Sequence, residues 1–346
     1  MGFAKAFGYA RMEQLQAEIT KGAGFFWLLA CLLFVVTGIA FLARTEWWSW
    51  VAFAAILLST ILISSCWQDA KFGTIANIII LAGAIIGYGT ASYHRSYEKE
   101  VRAALKQTSV LPEGLLTEDD LAALPEPVRK YIRLTGAVGQ PKVANFKIEF
   151  NGKIRKNEQS PWMPFASEQY NIVESATRLF FLDAVMKGLP VAGFHCFKNG
   201  VAFMDIRLLS LFKVQYQSGK EMGIAETVTF FNDMCCMAPA TLTDKRIEWL
   251  ESDSTSAKAR FSNNGITISA TLYFNEKGEL TNFVSDDRYA AGENNSMQQL
   301  RWSTPLKEYK LVDGFTLATS AEAIYTYPEG DLCYGTFSLQ HITYNH

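Results

Sequence analysis

Glu221 and Glu226 stand five residues apart at the start of a stretch with helical spacing. Two carboxylates so placed could act as a general acid and base, or share a cation. Carboxylates near a helix N-terminus are also favoured by the helix dipole, which is the commoner role. Asp286-Asp287-Arg288 offers a metal site or a grip on an anionic headgroup; an ion pair at a strand end is the plainer use. Glu168 and Tyr170 lie two apart in an alternating stretch. They share one face, where they could line a cavity or join a cross-strand salt bridge. His195 and Cys196 are neighbours, so on a strand they point to opposite faces, which argues against a Cys–His pair made by those two. Met222, Met234, Met237, Trp162 and Trp249 suit an apolar pocket, although such residues sort by default into cores. The chain has no G-x-S-x-G, P-loop or dinucleotide fingerprint, so no cofactor is expected and no catalytic residue is assigned. Its histidines are His94, His195, His341 and His346, and C-x-x-C is absent. Standard zinc spacing is therefore missing, and no metal is expected.

The elements that must carry these residues fall into two unlike parts. Ala23–Ala43, Trp47–Trp67 (with Asp and Lys only beyond it) and Thr74–Tyr93 hold no charged side chain. At 1.5 Å per helical residue, each covers about 30 Å, the hydrocarbon thickness of a bilayer. Trp27, Trp47, Trp48, Trp50, Trp67, Tyr88 and Tyr93 supply rings suited to the headgroup layer. Gly83 and Gly87, four apart, offer a small-residue face for close helix approach. Residues 1–22 read as an amphipathic lead-in, with Phe3, Phe7, Leu15 and Ile19 on one side. Lys5, Arg11, Lys21 and Lys71 against Arg44 alone place the N-terminus and the Lys71 loop in the cytoplasm, and the rest of the chain outside. Arg95, Lys99, Arg102 and Lys106 pull the other way.

Residues 94–142 form a helix-favouring connector, in which Thr117 and Asp120 approximate a capping box and Pro125, Pro127 and Gly136 bound a short helix. From residue 143 to 346 the period becomes two, as in Phe146, Ile148 and Phe150. Strands are predicted near 161–172, 178–186, 190–198, 201–208, 211–217, 246–252, 256–261, 265–275, 279–286, 298–302, 305–311, 315–327 and 332–345. Leu179–Leu182 is apolar on both faces and should be covered on both. One helix interrupts, with Ile224, Val228, Phe231 and Cys235 on its apolar side and Glu226, Thr229 and Asp233 elsewhere. The fold class is a three-helix transmembrane anchor followed by an α+β domain dominated by a curved antiparallel sheet, a half-barrel with one or two inserted helices. Net charge is −2, and nothing marks a nucleic-acid partner. Of six cysteines, Cys31 and Cys66 fall in apolar segments. In an oxidising compartment Cys196 with Cys333 is the pairing to expect.

Several stretches carry a resemblance: Phe165–Asn171, Gly219–Met222 with Glu226–Pro239, Phe274–Leu280, Ser285–Tyr289, Trp302–Pro305 and, nearer the start, Trp67–Asn77. Together they resemble an uncharacterised family of bacterial membrane-anchored proteins, classed as a domain of unknown function. The β-rich part is similar in plan to half-barrel lipid and lipoprotein carriers of the LolA type. The family supplies no activity to carry over; strand content, two-sided apolar strands and membrane tethering point to an integral membrane protein, of a bacterial inner membrane, whose extracytoplasmic domain binds a lipid or acyl chain between sheet and helix. Glu168, Tyr170, Glu221, Met222, Glu226, Trp249 and Arg288 are the candidate binding residues. The alternatives are a scaffold meeting a protein partner through Gly83/Gly87 or a sheet edge, and a hydrolase using Glu221 or Glu226.

Overall fold

The computed structural model describes residues 2–9, 16–107, 113–292 and 296–346. The chain divides into two compact units. One is Met1–Arg95 with Leu209–Leu211; the other is Ser96–Leu208 with Phe212–His346.

The first unit is helical: α1 (Gly2–Ala6), α2 (Lys21–Leu42), α3 (Trp48–Ser65), the short α4 (Trp67–Ala70) and the start of α5 (Gly73–Gln107). Three of these, α2, α3 and α5, are long and apolar enough to cross a membrane, with mean hydropathies of 2.6, 1.8 and 1.7. Their outward side chains are apolar, as Phe25, Leu32 and Ile39 show on α2. That arrangement suits hydrocarbon, where backbone groups must be paired within the helix. Asn77 of α5 is buried against α3: it accepts from Ser59 Oγ at 3.1 Å and donates to Thr60 Oγ1 at 3.1 Å. Such polar contacts hold membrane helices together where apolar burial gives little preference. Of the expected amphipathic lead-in, the described residues form only the short α1. α1 ends before Gly8, whose φ of +71° leaves the helical region, and Gln16–Thr20 is not helical. Arg11, Glu13 and Leu15 lie outside the described residues. Thr20 instead caps α2 through Ala23 N.

In the second unit α5 continues past the expected end of the third span at Tyr93, without a break. Reciprocal bonds join Thr117 and Asp120, which start a 3-10 turn, and α6 (Glu126–Leu134) follows Pro125. Thirteen strands form one antiparallel sheet: β1 (Asn145–Ile154), β2 (Met163–Ile172), β3 (Thr177–Met186), β4 (Leu189–Lys198), β5 (Val201–Leu208), β6 (Phe212–Ser218), then α7 (Lys220–Met237), β7 (Ile247–Ser252), β8 (Ser256–Asn263), β9 (Ile266–Phe274), β10 (Leu280–Ala291), β11 (Met297–Val312), β12 (Phe315–Tyr327) and β13 (Gly330–Tyr344). The spatial order is β6-β5-β4-β3-β2-β1-β13-β12-β11-β10-β9-β8-β7. Two meanders thus meet where β1 pairs with β13. The 298–302 and 305–311 segments are one strand. Pro305 has no N–H to donate, and pairing with β12 passes from Ser303↔Ile324 to Leu306↔Ala321 without slipping register.

The sheet curls around α7, which packs on β5 of the first meander and on β9 and β10 of the second. Val228, Phe230, Phe231, Met234 and Cys235 are fully buried. Phe231 stacks on Phe261, with centroids 5.2 Å apart. The opposite face of β3 and β4 is covered by α5, where Tyr97 meets Phe181 and Phe194. β3 is therefore enclosed on both sides, as its apolar run requires. The expected Cys196–Cys333 bridge is absent, and the described cysteines are free. Four strand spacings separate β4 from β13, about 19 Å, far beyond disulfide reach.

A Cβ on Gly87 would lie 2.2 Å from the Trp48 ring, whereas one on Gly83 meets nothing within 4 Å. Gly87→Leu should therefore destabilise the helical unit by about 1–3 kcal/mol. Gly83→Leu should leave its thermal midpoint in detergent within a degree or two, as surface changes do. Equal effects of the two variants would contradict this packing.

Candidate functional site

Alternation puts Ser167, Gln169 and Asn171 of β2 on the concave face. Register then aligns Asn171 with Arg178 of β3, and Gln169 with Phe180 and His195. Glu226 and Asp233 of α7 are seven apart, two turns, so they face the sheet together. Arg178 bridges them. Its Nε donates to Asp233 Oδ2 at 2.8 Å, Nη1 to Glu226 Oε2 at 3.0 Å and Nη2 to Gln169 Oε1 at 2.8 Å. Gln169 Nε2 donates to the same Asp233 oxygen at 2.7 Å. His195 Nδ1 lies 3.2 Å from Glu226 Oε1. Arg178 is 7% exposed, Glu226 1% and Asp233 8%.

Ion pairing at this depth succeeds only when hydrogen bonds satisfy the remaining groups. Burial opposes charge on Glu226, but Arg178 and then His195 and Arg288 outweigh it and hold the carboxyl down to about 2. Asp233 is pushed the other way: burial dominates, and Arg178 only partly offsets it. One guanidinium therefore serves a firm carboxylate and a second that takes a proton more readily. The cations around Glu226 favour its charged form, the opposite of what a general acid needs.

The other candidates are scattered. Glu221 is exposed and apart from Glu226, whereas Met222 is core. Glu168 and Tyr170 point to the face opposite Gln169. There Lys147 bonds Glu168 at 2.7 Å and lies 5.7 Å from the Tyr170 ring. Trp249 packs against the core with a buried indole N–H that finds no partner among the described residues. In the Asp-Asp-Arg run, Asp287 accepts from Ser269 N at 2.7 Å and Asp286 pairs with Arg301 at 3.5 Å. Arg288 turns inward, with its guanidinium 5.3 Å from the Trp302 ring and 6.0 Å from Tyr325. Among the described residues no cluster of three metal-ligating side chains occurs.

Sequence reasoning missed Arg178 and Gln169. Arg178 sits beside the apolar run Leu179–Leu182, and a charge flanking a two-sided apolar strand was the available signal. It also expected open space beside Ile224–Cys235. α7 instead fills that space: its polar side is drawn into the sheet by Arg178, so the helix is buried all round. Open space lies at the rim, in a cleft of 760 Å³ between the β1–β2 connection at Lys156–Gln159, β6 at Val214, Gln215 and Gln217, and the β12–β13 turn at Tyr327 and Glu329–Leu332. Gln217 joins Met204, His195, Phe180 and Gln169 in one cross-strand row, so the cleft wall and the charge cluster share a line of side chains.

Arg178→Met leaves two buried carboxylates without their counter-charge and should cost about 3–5 kcal/mol, read from denaturant unfolding of the full-length protein in detergent. Glu226, with its lowered pKa, contributes stability above its ordinary 4.5 that is lost as pH falls toward about 2. Without Arg178 the sign reverses. Both carboxyls then bind protons more readily when folded, so acidifying to pH about 5 should narrow the gap between variant and wild type. A gap independent of pH would contradict the assignment.

Residues 114–337, well over half the chain, match a family described as a family of unknown function, DUF6544. The Trp67–Asn77 stretch lies outside that match. No curated protein matches the chain. Solved structures similar to this chain include three of low identity. A domain named for outer membrane lipoprotein sorting from Vibrio parahaemolyticus is 6% identical with a TM-score of 0.35, the match covering 58% of this chain and 86% of that one. A DUF1329 family protein from Desulfovibrio piger ATCC 29098 is 9% identical with a TM-score of 0.38, covering 63% and 92%. A LolA superfamily protein from Nitrosomonas europaea, NE2245, is 6% identical with a TM-score of 0.28, covering 64% and 92%. At these values the likenesses speak to neither activity nor ligand. The family is the firm result: the chain belongs to the family of unknown function DUF6544.

Proposed function

We propose that the half-barrel holds an amphipathic ligand, a lipid or acyl-bearing molecule, in the rim cleft while the apolar helices tether it to a bilayer. The observation that carries this reading is the cleft itself. Its 760 Å³ falls within the range of small-molecule sites, about 300–1,000 Å³. Its lining mixes apolar Val214, Tyr327 and Leu332 with polar Gln215, Gln217 and Lys156, the combination that an amphiphile needs. The packed interior beneath α7 supports placing the ligand at the rim rather than under the helix. The balance of Lys and Arg around the first two connections favours an extracytoplasmic domain of a bacterial inner membrane.

Two other readings have less support. A protein partner docking on the Gly83/Gly87 face would find Gly87 occupied by Trp48 and only Gly83 open. A hydrolase built on Glu221 or Glu226 would rest on an exposed carboxylate or on one already paired with Arg178.

The full-length protein, extracted in detergent and analysed by native mass spectrometry, should carry an amphiphile. Val214→Trp fills the cleft from an exposed position and should lower occupancy about ten-fold, as loss of one well-placed apolar contact of about 1.4 kcal/mol would. Circular dichroism should be unchanged. Protein free of bound amphiphile, or occupancy indifferent to Val214→Trp, would sink the reading.

A further inference from the structure

The turns of β3–β4 and β5–β6 lie side by side at one end of the first meander, since register joins Ala184, Val191, Leu208 and Phe212 in one row just inside them. Apolar side chains stand out at these turns: Val185 is 51% exposed, Met186 43%, Leu189 45% and Phe212 62%. Single exposed apolar residues are ordinary, but a contiguous group on neighbouring turns marks an interaction surface. Lys187 and Lys213 project among them, both exposed. Of the acidic residues on β3 to β6, Asp205 is paired with Arg207 at 2.7 Å, and Asp183 stands four residues before Lys187.

The path of the chain says what this surface meets. Within the second unit, Tyr97 of α5 lies against Phe181 and Phe194 in mid-sheet, and Glu100, one turn later, bonds Lys198 at 2.8 Å at the far end of β4. α5 therefore runs away from the β3–β4 and β5–β6 turns. α5 is one unbroken helix from Gly73 to Gln107, and its part before this segment is apolar and of membrane length.

We infer that the β3–β4 and β5–β6 turns form a bilayer-docking surface, with Met186, Leu189 and Phe212 seated among acyl chains and Lys187 and Lys213 against anionic headgroups. Shallow apolar insertion with flanking lysines is the physics of interfacial binding. The surface stands whatever fills the cleft, because none of Met186, Leu189 or Phe212 lines it.

The test uses the full-length chain in vesicles of phosphatidylcholine and phosphatidylglycerol, with a benzophenone side chain placed at Phe212, at Met186 or, as control, at Leu311. Leu311 is 75% exposed at the opposite end of the sheet. Irradiation should give about ten-fold more lipid adduct at Phe212 and Met186 than at Leu311, as side chains several ångströms below the headgroups would. Lys187→Glu with Lys213→Glu should cut the yield on anionic vesicles about five-fold and leave it unchanged on phosphatidylcholine alone. Equal yields at all three positions overturn the proposal. So do adducts to a second protein chain in place of lipid, or charge reversal without effect on anionic vesicles.

Discussion

A single buried guanidinium ties this fold together. Arg178 leaves the first meander and meets both carboxylates that α7 turns toward the sheet. Taking three charges out of water costs several kcal/mol per ion, and only close geometry with further hydrogen bonds offsets that. Gln169 and His195 supply those bonds from the neighbouring strands. The cluster adds less to net stability than an apolar core of equal volume would. Its geometry favours the rotation and axial position of α7 in which both carboxylates reach Arg178.

That constraint decides where a ligand can go. A half-barrel with a loosely held helix would leave a groove beneath it. Here the helix is held by charge on one side and by Phe230, Phe231 and Met234 on the other. The cleft lies at the rim instead, lined by β6, the end strand of the sheet among the described residues, and by the β12–β13 turn. The interior is closed by packing, and the cleft lies at the edge.

Much of this was legible from residue order. Three uncharged runs gave three helices, and alternation such as Ile266, Ile268, Ala270 and Leu272 gave most strands within a residue or two of their ends, β10 running on past the expected 286 to Ala291. Both periodicities are local, so they survive without knowledge of the partners. The misses were tertiary. α7 looked amphipathic because Glu226 and Asp233 are charged, and nothing local says that an arginine some fifty residues earlier will bury them. Pro305 looked like a strand break, and the missing N–H proved tolerable at one position of a long ladder. Arg288 was singled out, but whether it pointed to solvent or toward Trp302 depended on its facing strand.

Hydrogen exchange of the full-length protein is the most direct measurement of whether α7 is a fixed wall. With a helix buried all round and locked by Arg178, amides of Val228–Cys236 should rank among the slowest to exchange in the sheet domain, opening only with global unfolding. Exchange across α7 as fast as that of the connecting turns would contradict the account. It would make the helix a mobile cover with usable space beneath it.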